Sequence, residues 1–187
     1  KEAVLPFDRL PGSDTVLTPE MRSTGEVMGI ADNFEAAFFK SQISTGMLFP
    51  KSGNVFLSIR NEDKTKEMGA ACKILKKIGF KIIATKGTKS FLDKEGVHSQ
   101  LVKKVFEGRP NIADLLKDKK INIVMNTTQG KQSIEDSKDI RSLALTNKIP
   151  YYTTARGIIA VINSLKENIG GKISVRSEEH TSELQSH

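Results

Sequence analysis

The chain has 187 residues, 37% hydrophobic and 27% charged, with a formal net charge of +7. That is room for one ordinary domain plus a fragment, in a composition that reads as soluble and globular and excludes a disordered chain. The lone Cys72 excludes an internal disulfide and a Cys-rich zinc site and fits a reducing cytoplasm, and the longest apolar runs, such as Ile158 to Ile162, are far shorter than a bilayer requires.

Taken in order, the chain starts at Lys1 and "KEAVLPF" reads at once as a strand, as if the sequence enters part-way through a domain. A loop punctuated by Pro and Gly follows, and then a helix in "NFEAAFFKSQIS" with Asn33 as its N-cap. "TGMLFPKSG" breaks the periodicity at Gly46, Pro50 and Gly53, which marks a domain boundary between residues 1–45 and 46–175. "VFLSI" (55–59) is expected as a strand. Lys64 to Ile78 has Met68, Ala71, Cys72, Leu75 and Ile78 at helical spacing and stops at Gly79. "FKIIA" (80–84) is a second strand that runs into "TKGT". A short helix over Lys89 to Lys94, an extended piece near Leu101 to Val105, and a helix started by Pro110 and reaching about Lys119 come next.

The run 121–126 in "INIVMNTTQG" is a further strand. "SIED" then supplies a capping box, Ser133 with Asp136, for a helix carrying Ile140, Leu143 and Ala144. "IPYY" is a short last strand, and the final helix puts Ile158, Val161, Ile162 and Leu165 on one face. Residues 176–187, "RSEEHTSELQSH", have no hydrophobic period, and "RSEEHTSELQS" is the translation of a common sequencing-adapter DNA. This tail is therefore read as non-native and set aside. Setting it aside removes His180 and His187, and three glutamates against one arginine, so the remainder is more basic.

Strands that alternate with helices through short loops predict an α/β three-layer sandwich with a mostly parallel sheet. In such a sheet ligands sit beyond the carboxyl ends of the strands. Those ends read "TKGT", "NTTQG" and "YTTARG", each with threonine and glycine just before a helix. Threonine hydroxyls and helix-start N–H groups donate to phosphate oxygens, and glycine lets the backbone approach. Thr85 and Thr88 flank Gly87; Asn126, Thr127 and Thr128 precede Gly130; Lys104 supplies counter-charge, and Ser137 could face the same pocket. In any one loop these residues more often only cap a helix. Three such loops on one sheet edge favour an anion pocket.

Catalytic and metal readings are weaker, and no catalytic residue or metal ligand is assigned. His98 is a lone histidine in a polar stretch, and Cys72 lies on an apolar helix stripe and reads as core. Glu107 and Arg109 of "EGRP" read as a structural ion pair. The lysines are scattered over helix faces without aromatic interleaving, which argues against nucleic acid as a partner.

Together these motifs resemble the carboxy-terminal part of the large subunit of bacterial-type carbamoyl-phosphate synthase, over residues 1 to 175. "PEMRSTGEVMGI" (19–30) resembles the signature closing that family's second ATP-grasp unit. "ATKGT", "LVKKVFEGRPNIAD", "NTTQGKQSIEDS" and "YYTTARG" resemble, in order, motifs of its methylglyoxal-synthase-like, Rossmann-like allosteric domain. The resemblance implies regulation without chemistry in this segment: binding of nucleoside monophosphates, with UMP inhibiting and IMP activating, and activation by ornithine. It implies an effector phosphate held by Lys64, Thr85, Thr88, Lys104, Asn126, Thr127 and Thr128, with Ser137 close by. Lys66 competes with Lys64 for the first of these places, because "EDKTKEMG" is one residue longer than the family pattern. Tyr151 and Thr153 fall where the family contacts ornithine.

The resemblance further implies a cytoplasmic parent ligase making carbamoyl phosphate from bicarbonate, glutamine-derived ammonia and two ATP for pyrimidine and arginine synthesis. That parent uses Mg2+ or Mn2+ and K+ upstream of this segment, works with a small glutaminase subunit and forms oligomers. The same fold hosts methylglyoxal synthase, a lyase acting on dihydroxyacetone phosphate. Its acidic Gly-Asp catalyst and phosphate-site histidine are not apparent in "VFEGRPNI" or at Lys86 in "TKGT". IMP cyclohydrolase also shares the fold, but its "KTLHPKIHGG"-like segment is replaced here by "KVFEGRP".

Overall fold

A computed structural model describes residues 2–4, 25–47, 49–128 and 137–168. Near the start, β1 (Glu2–Val4) and β2 (Gly25–Val27) pair antiparallel. The main sheet has β3 (Gly53–Ser58), β4 (Phe80–Ala84), β5 (Gln100–Leu101), β6 (Ile123–Asn126) and β7 (Tyr151–Tyr152), all parallel, in the order β5-β4-β3-β6-β7. The helices are α1 (Phe34–Ser44), α2 (Lys66–Lys77), α3 (Lys86–Lys94), α4 (Ile112–Lys117), α5 (Lys138–Thr146) and α6 (Ala155–Asn168). The expected α/β sandwich is thus observed. None of the described helices is long and apolar enough to cross a membrane.

Side chains alternate across the pleat. Val55 and Leu57 of β3 enter one core with Met68, Cys72 and Leu75 of α2 and Ile158, Val161, Ile162 and Leu165 of α6. Phe56, between them, enters the other core with Ile83, Val124, and Ile112 and Leu116 of α4. A sheet buried on both faces needs apolar residues at every position, and Ile123 to Met125 satisfy that. Burying two faces also requires the Cys72 thiol to be in the interior, which pushes its pKa up to about 12.

Strand order determines where a cleft can open. From β3 the chain moves outward through β4 and β5, then crosses back to place β6 on the other side of β3. The strand order reverses between β3 and β6, which is the usual position of a ligand crevice in open α/β sheets.

Helix α1 begins as expected: the Asn33 carboxamide accepts from the Ala36 N–H at 2.8 Å. It packs on α6, burying Phe39 in the first core. Gly29 lies against its backbone, where a Cβ would fall 2.0 Å from the Ala37 carbonyl oxygen. Tyr152 of β7 reaches the same helix, its hydroxyl donating to Gln42 Oε1 at 3.1 Å.

Three expected boundaries shift. α2 starts at Lys66, two residues after Lys64, because Thr65 caps it by accepting from the Met68 N–H at 3.2 Å. α3 starts at Lys86 instead of Lys89, so "TKGT" is the cap and first turn of the helix and not a loop. The Lys89 N–H donates to the Thr85 carbonyl at 2.7 Å, which fixes that turn. α4 is started by Asn111, not by Pro110, since the Asn111 side chain accepts from the Ala113 N–H and the Asp114 carboxylate accepts in return from the Asn111 N–H. Arg109 pairs with Asp114 and not with Glu107; Glu107 instead accepts from the Lys104 N–H at 2.8 Å. The expected Ser133–Asp136 capping box lies outside the described residues.

The Arg109 guanidinium, with the Asn111 N–H, holds the Asp114 carboxyl at about 2, below its ordinary 3.8. A depressed carboxyl contributes stability above its ordinary value and loses it as pH falls through the folded one. Asp114→Asn should therefore lower the urea midpoint at pH 7, and the gap to the parent should close as pH falls towards 2. A gap of constant size across that range would remove Asp114 from the acid limb.

Candidate functional site

At the reversal point lies a cavity of about 360 Å³, within the range of small-molecule sites. Its floor is the exit of the central strand, Ser58 to Asn61, and its walls come from the first turn of α3, the end of β6 and the turn after Lys104. Parallel pairing brings these together. Leu57 registers with Ala84, and Ser58 with Asn126, so the chain leaves three adjacent strands at one level.

The strand exit is held from both sides by threonines. The Ile59 N–H donates to Thr88 Oγ1 at 2.8 Å, and the Arg60 N–H donates to Thr127 Oγ1 at 3.0 Å. Thr127 N–H continues the ladder to the Ser58 carbonyl at 2.9 Å. Thr85 Oγ1 links Thr88 Oγ1 at 3.3 Å and Ser58 Oγ at 3.4 Å. A hydroxyl that accepts from a backbone N–H keeps its own proton for another acceptor. Thr88 and Thr127 are both buried yet line the cavity; the Thr88 hydroxyl also donates to the Ile59 carbonyl at 3.4 Å, whereas Thr127 can accept from the strand and donate to an anion. The first-turn N–H groups of α3 add donors and a positive dipole end, and Gly87 leaves that turn uncovered.

Two ammonium groups face this cavity. Lys64 Nζ donates to Asn61 Oδ1 at 2.7 Å and would lie 3.4 Å from a Cβ added at Gly87. Lys104 Nζ lies over the Phe106 ring, 5.6 Å from its centroid. Burial, and then the repulsion of Lys104, draws the Lys64 pKa down. Arg60 also lines the cavity, but its guanidinium is engaged by Asp63 at 2.6 Å.

Of the residues expected at an effector phosphate, Lys64, Thr85, Thr88, Lys104, Asn126, Thr127 and Ser137 line this one cavity. Lys64 and not Lys66 lies against it; Lys66 is an exposed first helical residue. Thr128 is half-buried and lies outside the lining. Tyr151 and Thr153 also lie outside it: Thr153 is exposed, and the Tyr151 hydroxyl accepts from Asn126 Nδ2 at 3.1 Å, behind the cavity wall. The "YTTARG" turn follows the outer strand β7 and so does not share the pocket as the other two strand ends do. Its place is taken by "SIRNE" after β3, whose Ser58, Arg60 and Asn61 were not anticipated. Finding them in the sequence would have required knowing that β3 is central. His98 is exposed and lies outside this lining.

Residues 67–153 match the family model described as "MGS-like domain". The chain carries an MGS-like domain. Over 94% of its length it is 48% identical to the carbamoyl phosphate synthase large chain of Mesorhizobium japonicum, and over 90% it is 53% identical to that of Buchnera aphidicola subsp. Acyrthosiphon pisum. The large chain of Methanosarcina barkeri is 43% identical over 95% of the chain. The chain spans about 15% of the length of the first of these relatives, 16% of the second and 44% of the third. The resemblance read from the motifs is borne out, and it runs well beyond the MGS-like domain itself.

A lysine whose pKa is drawn down destabilises the fold while it is charged, and that cost fades as pH rises from the folded value to the ordinary 10.5. An anion in the cavity reverses the preference by favouring charged Lys64. Lys64→Met should therefore leave the unliganded fold at least as stable near pH 7, while weakening inorganic phosphate binding and flattening the loss of binding on the alkaline side. Phosphate affinity unchanged by the substitution would exclude Lys64 from the site.

Proposed function

We propose that this segment is the effector-binding, regulatory part of a carbamoyl-phosphate synthase large subunit, and that its cavity takes the phosphate of a nucleoside monophosphate such as UMP or IMP. The observation that carries the reading is the meeting of Lys64 and Lys104 with the Thr88 and Thr127 hydroxyls over the β3 exit. Two cations and several convergent donors in a recess suit a small dianion. Thr85, Asn126 and Ser137 complete the phosphate contacts, and Thr128 contributes from outside the present lining.

In the same reading, Tyr151 and Thr153 contribute to an ornithine site together with residues of the upstream synthetase unit. The parent chain is an ATP-dependent ligase that makes carbamoyl phosphate with glutamine-derived ammonia. It acts in the cytoplasm with Mg2+ or Mn2+ and K+, a glutaminase subunit and further copies of itself. Effectors act by binding two states of the synthetase unit unequally. Helix α1 is the mechanical connection, supported by its packing on α6 and by the Tyr152–Gln42 hydrogen bond.

Calorimetry of the chain with UMP and IMP tests the reading. Binding should be saturable, and Asn126→Ala should weaken it by about 1.5–3 kcal/mol, the value of a hydrogen bond to a charged group. The absence of binding by either nucleotide, or full affinity in the Asn126 variant, would overturn the assignment.

A further inference from the structure

A second recess lies at the other end of the sheet. It encloses about 340 Å³ where the chain enters β6 and β7, at the amino ends of the strands and opposite the cavity beyond β3. Helices α4 and α5 both run back to this end, and each is followed by a lysine in the left-handed region, Lys119 with φ of 53° and Lys148 with φ of 54°. The two closures are alike. The Lys119 and Lys148 N–H groups donate to the Leu116 and Leu145 carbonyls, and the next N–H groups, of Lys120 and Ile149, donate to Leu115 and Ala144. Glycine usually fills the left-handed position of such a closure, because a side chain is strained there. Lysine stands at both, which is the kind of local cost that functional positions carry.

The helix ends do not need these two ammonium groups. The closing N–H groups already bond the last carbonyls, and Asn147 Nδ2 donates to the Leu143 carbonyl at 2.8 Å. The nearby Asp118 carboxylate is taken by Lys120 at 3.0 Å. Among the described residues neither Lys119 nor Lys148 has an ion pair, and both line the recess. A third donor joins them. The Asn54 N–H donates to Asn122 Oδ1 at 2.8 Å, and only glycine fits at position 53, where a Cβ would fall 2.2 Å from that oxygen. The bond fixes the Asn122 carboxamide, and its Nδ2 has no partner among the described residues.

Apolar side chains make the remaining wall, and they are held without a ligand. Phe49 stacks on Phe39 of α1 at 5.4 Å, Ile149 packs on the second core, and Pro150 is buried. Two ammonium groups and one amide, from three separate turns beside apolar surface, suit an anion with an apolar body. A phosphate monoester has three free oxygens, and this recess lacks the threonine hydroxyls that line the cavity beyond β3. A carboxylate has two oxygens, which these three donors can satisfy.

We propose that this recess is a second binding site, for a small monocarboxylate with an apolar body, held by Lys119, Lys148 and the Asn122 carboxamide. It shares no lining residue with the phosphate cavity and is independent of that reading.

Amide NMR of the chain titrated with benzoate tests the site. Acetate serves as the carboxylate without the body, and benzyl alcohol as the body without the charge. Benzoate should give saturable shifts at Asn122, Lys148 and Ile149 and bind at least tenfold more tightly than acetate, and benzyl alcohol should shift none of these. Lys119→Gly combined with Lys148→Gly suits the backbone at both positions. The melting midpoint should therefore not fall, while benzoate affinity drops at least tenfold. Shifts that do not saturate, equal affinity for acetate and benzoate, or stronger shifts at these residues from inorganic phosphate overturn the site in the parent chain alone. Unchanged benzoate affinity in the double variant overturns it as well.

Discussion

The cleft depends on how the central strand ends. When β3 leaves the sheet, its next two backbone N–H groups, at Ile59 and Arg60, lose their ladder partners. They are taken by Thr88, in the first turn of the helix after β4, and by Thr127, just past the end of β6. Leaving such a donor buried and unpaired would cost about 1–3 kcal/mol. The hydroxyls thus satisfy the backbone, Thr88 bonding both the N–H and the carbonyl of Ile59, and Thr127 keeps its proton for the cavity. One pair of side chains both closes the sheet and equips the pocket.

The electrostatics are consistent with that dual role. Burial, and then the nearby Lys104, lowers the Lys64 pKa, and an anion between the two ammonium groups would relieve that repulsion. The rest of the fold offsets this cost. Val55 to Leu57 and Ile123 to Met125 are buried on both faces, so the strands that carry the cavity are anchored in two cores. The Asn111 and Asp114 caps hold the turn that carries Lys104 and Phe106 at one side, and α1 sits against α6 on the opposite layer.

Much of the layer architecture was legible because it follows from period. The helical spacing of Ile158, Val161, Ile162 and Leu165 and the apolar runs at 55–57 and 123–125 leave little choice of partner. Most of the cavity-lining residues were legible through motif resemblance, and Thr85, Thr88 and Asn126 were in any case marked as donors at strand ends. Strand order was not legible, since pairing is a long-range choice that no local pattern states. That is why "YTTARG" was grouped with the pocket and "SIRNE" was missed. Helix starts at Asn111 and Thr85 were displaced for a different reason. At α4 the Asn111 side chain reaches the Ala113 N–H next to Pro110, whereas at α3 the turn is closed by the backbone, the Lys89 N–H donating to the Thr85 carbonyl. Phe106 was hidden altogether, because its exposure depends on a fixed turn that the sequence shows only as "KVFEGRP".

The most direct test of the account is a backbone amide NMR titration of the chain with UMP. The account predicts that the largest shifts fall at Ile59, Arg60, Gly87, Thr88 and Thr127, which converge only in the folded sheet edge. Shifts concentrated at the opposite end of the sheet, around Lys119 and Lys148, or spread evenly over the lysine-bearing surface, would contradict it.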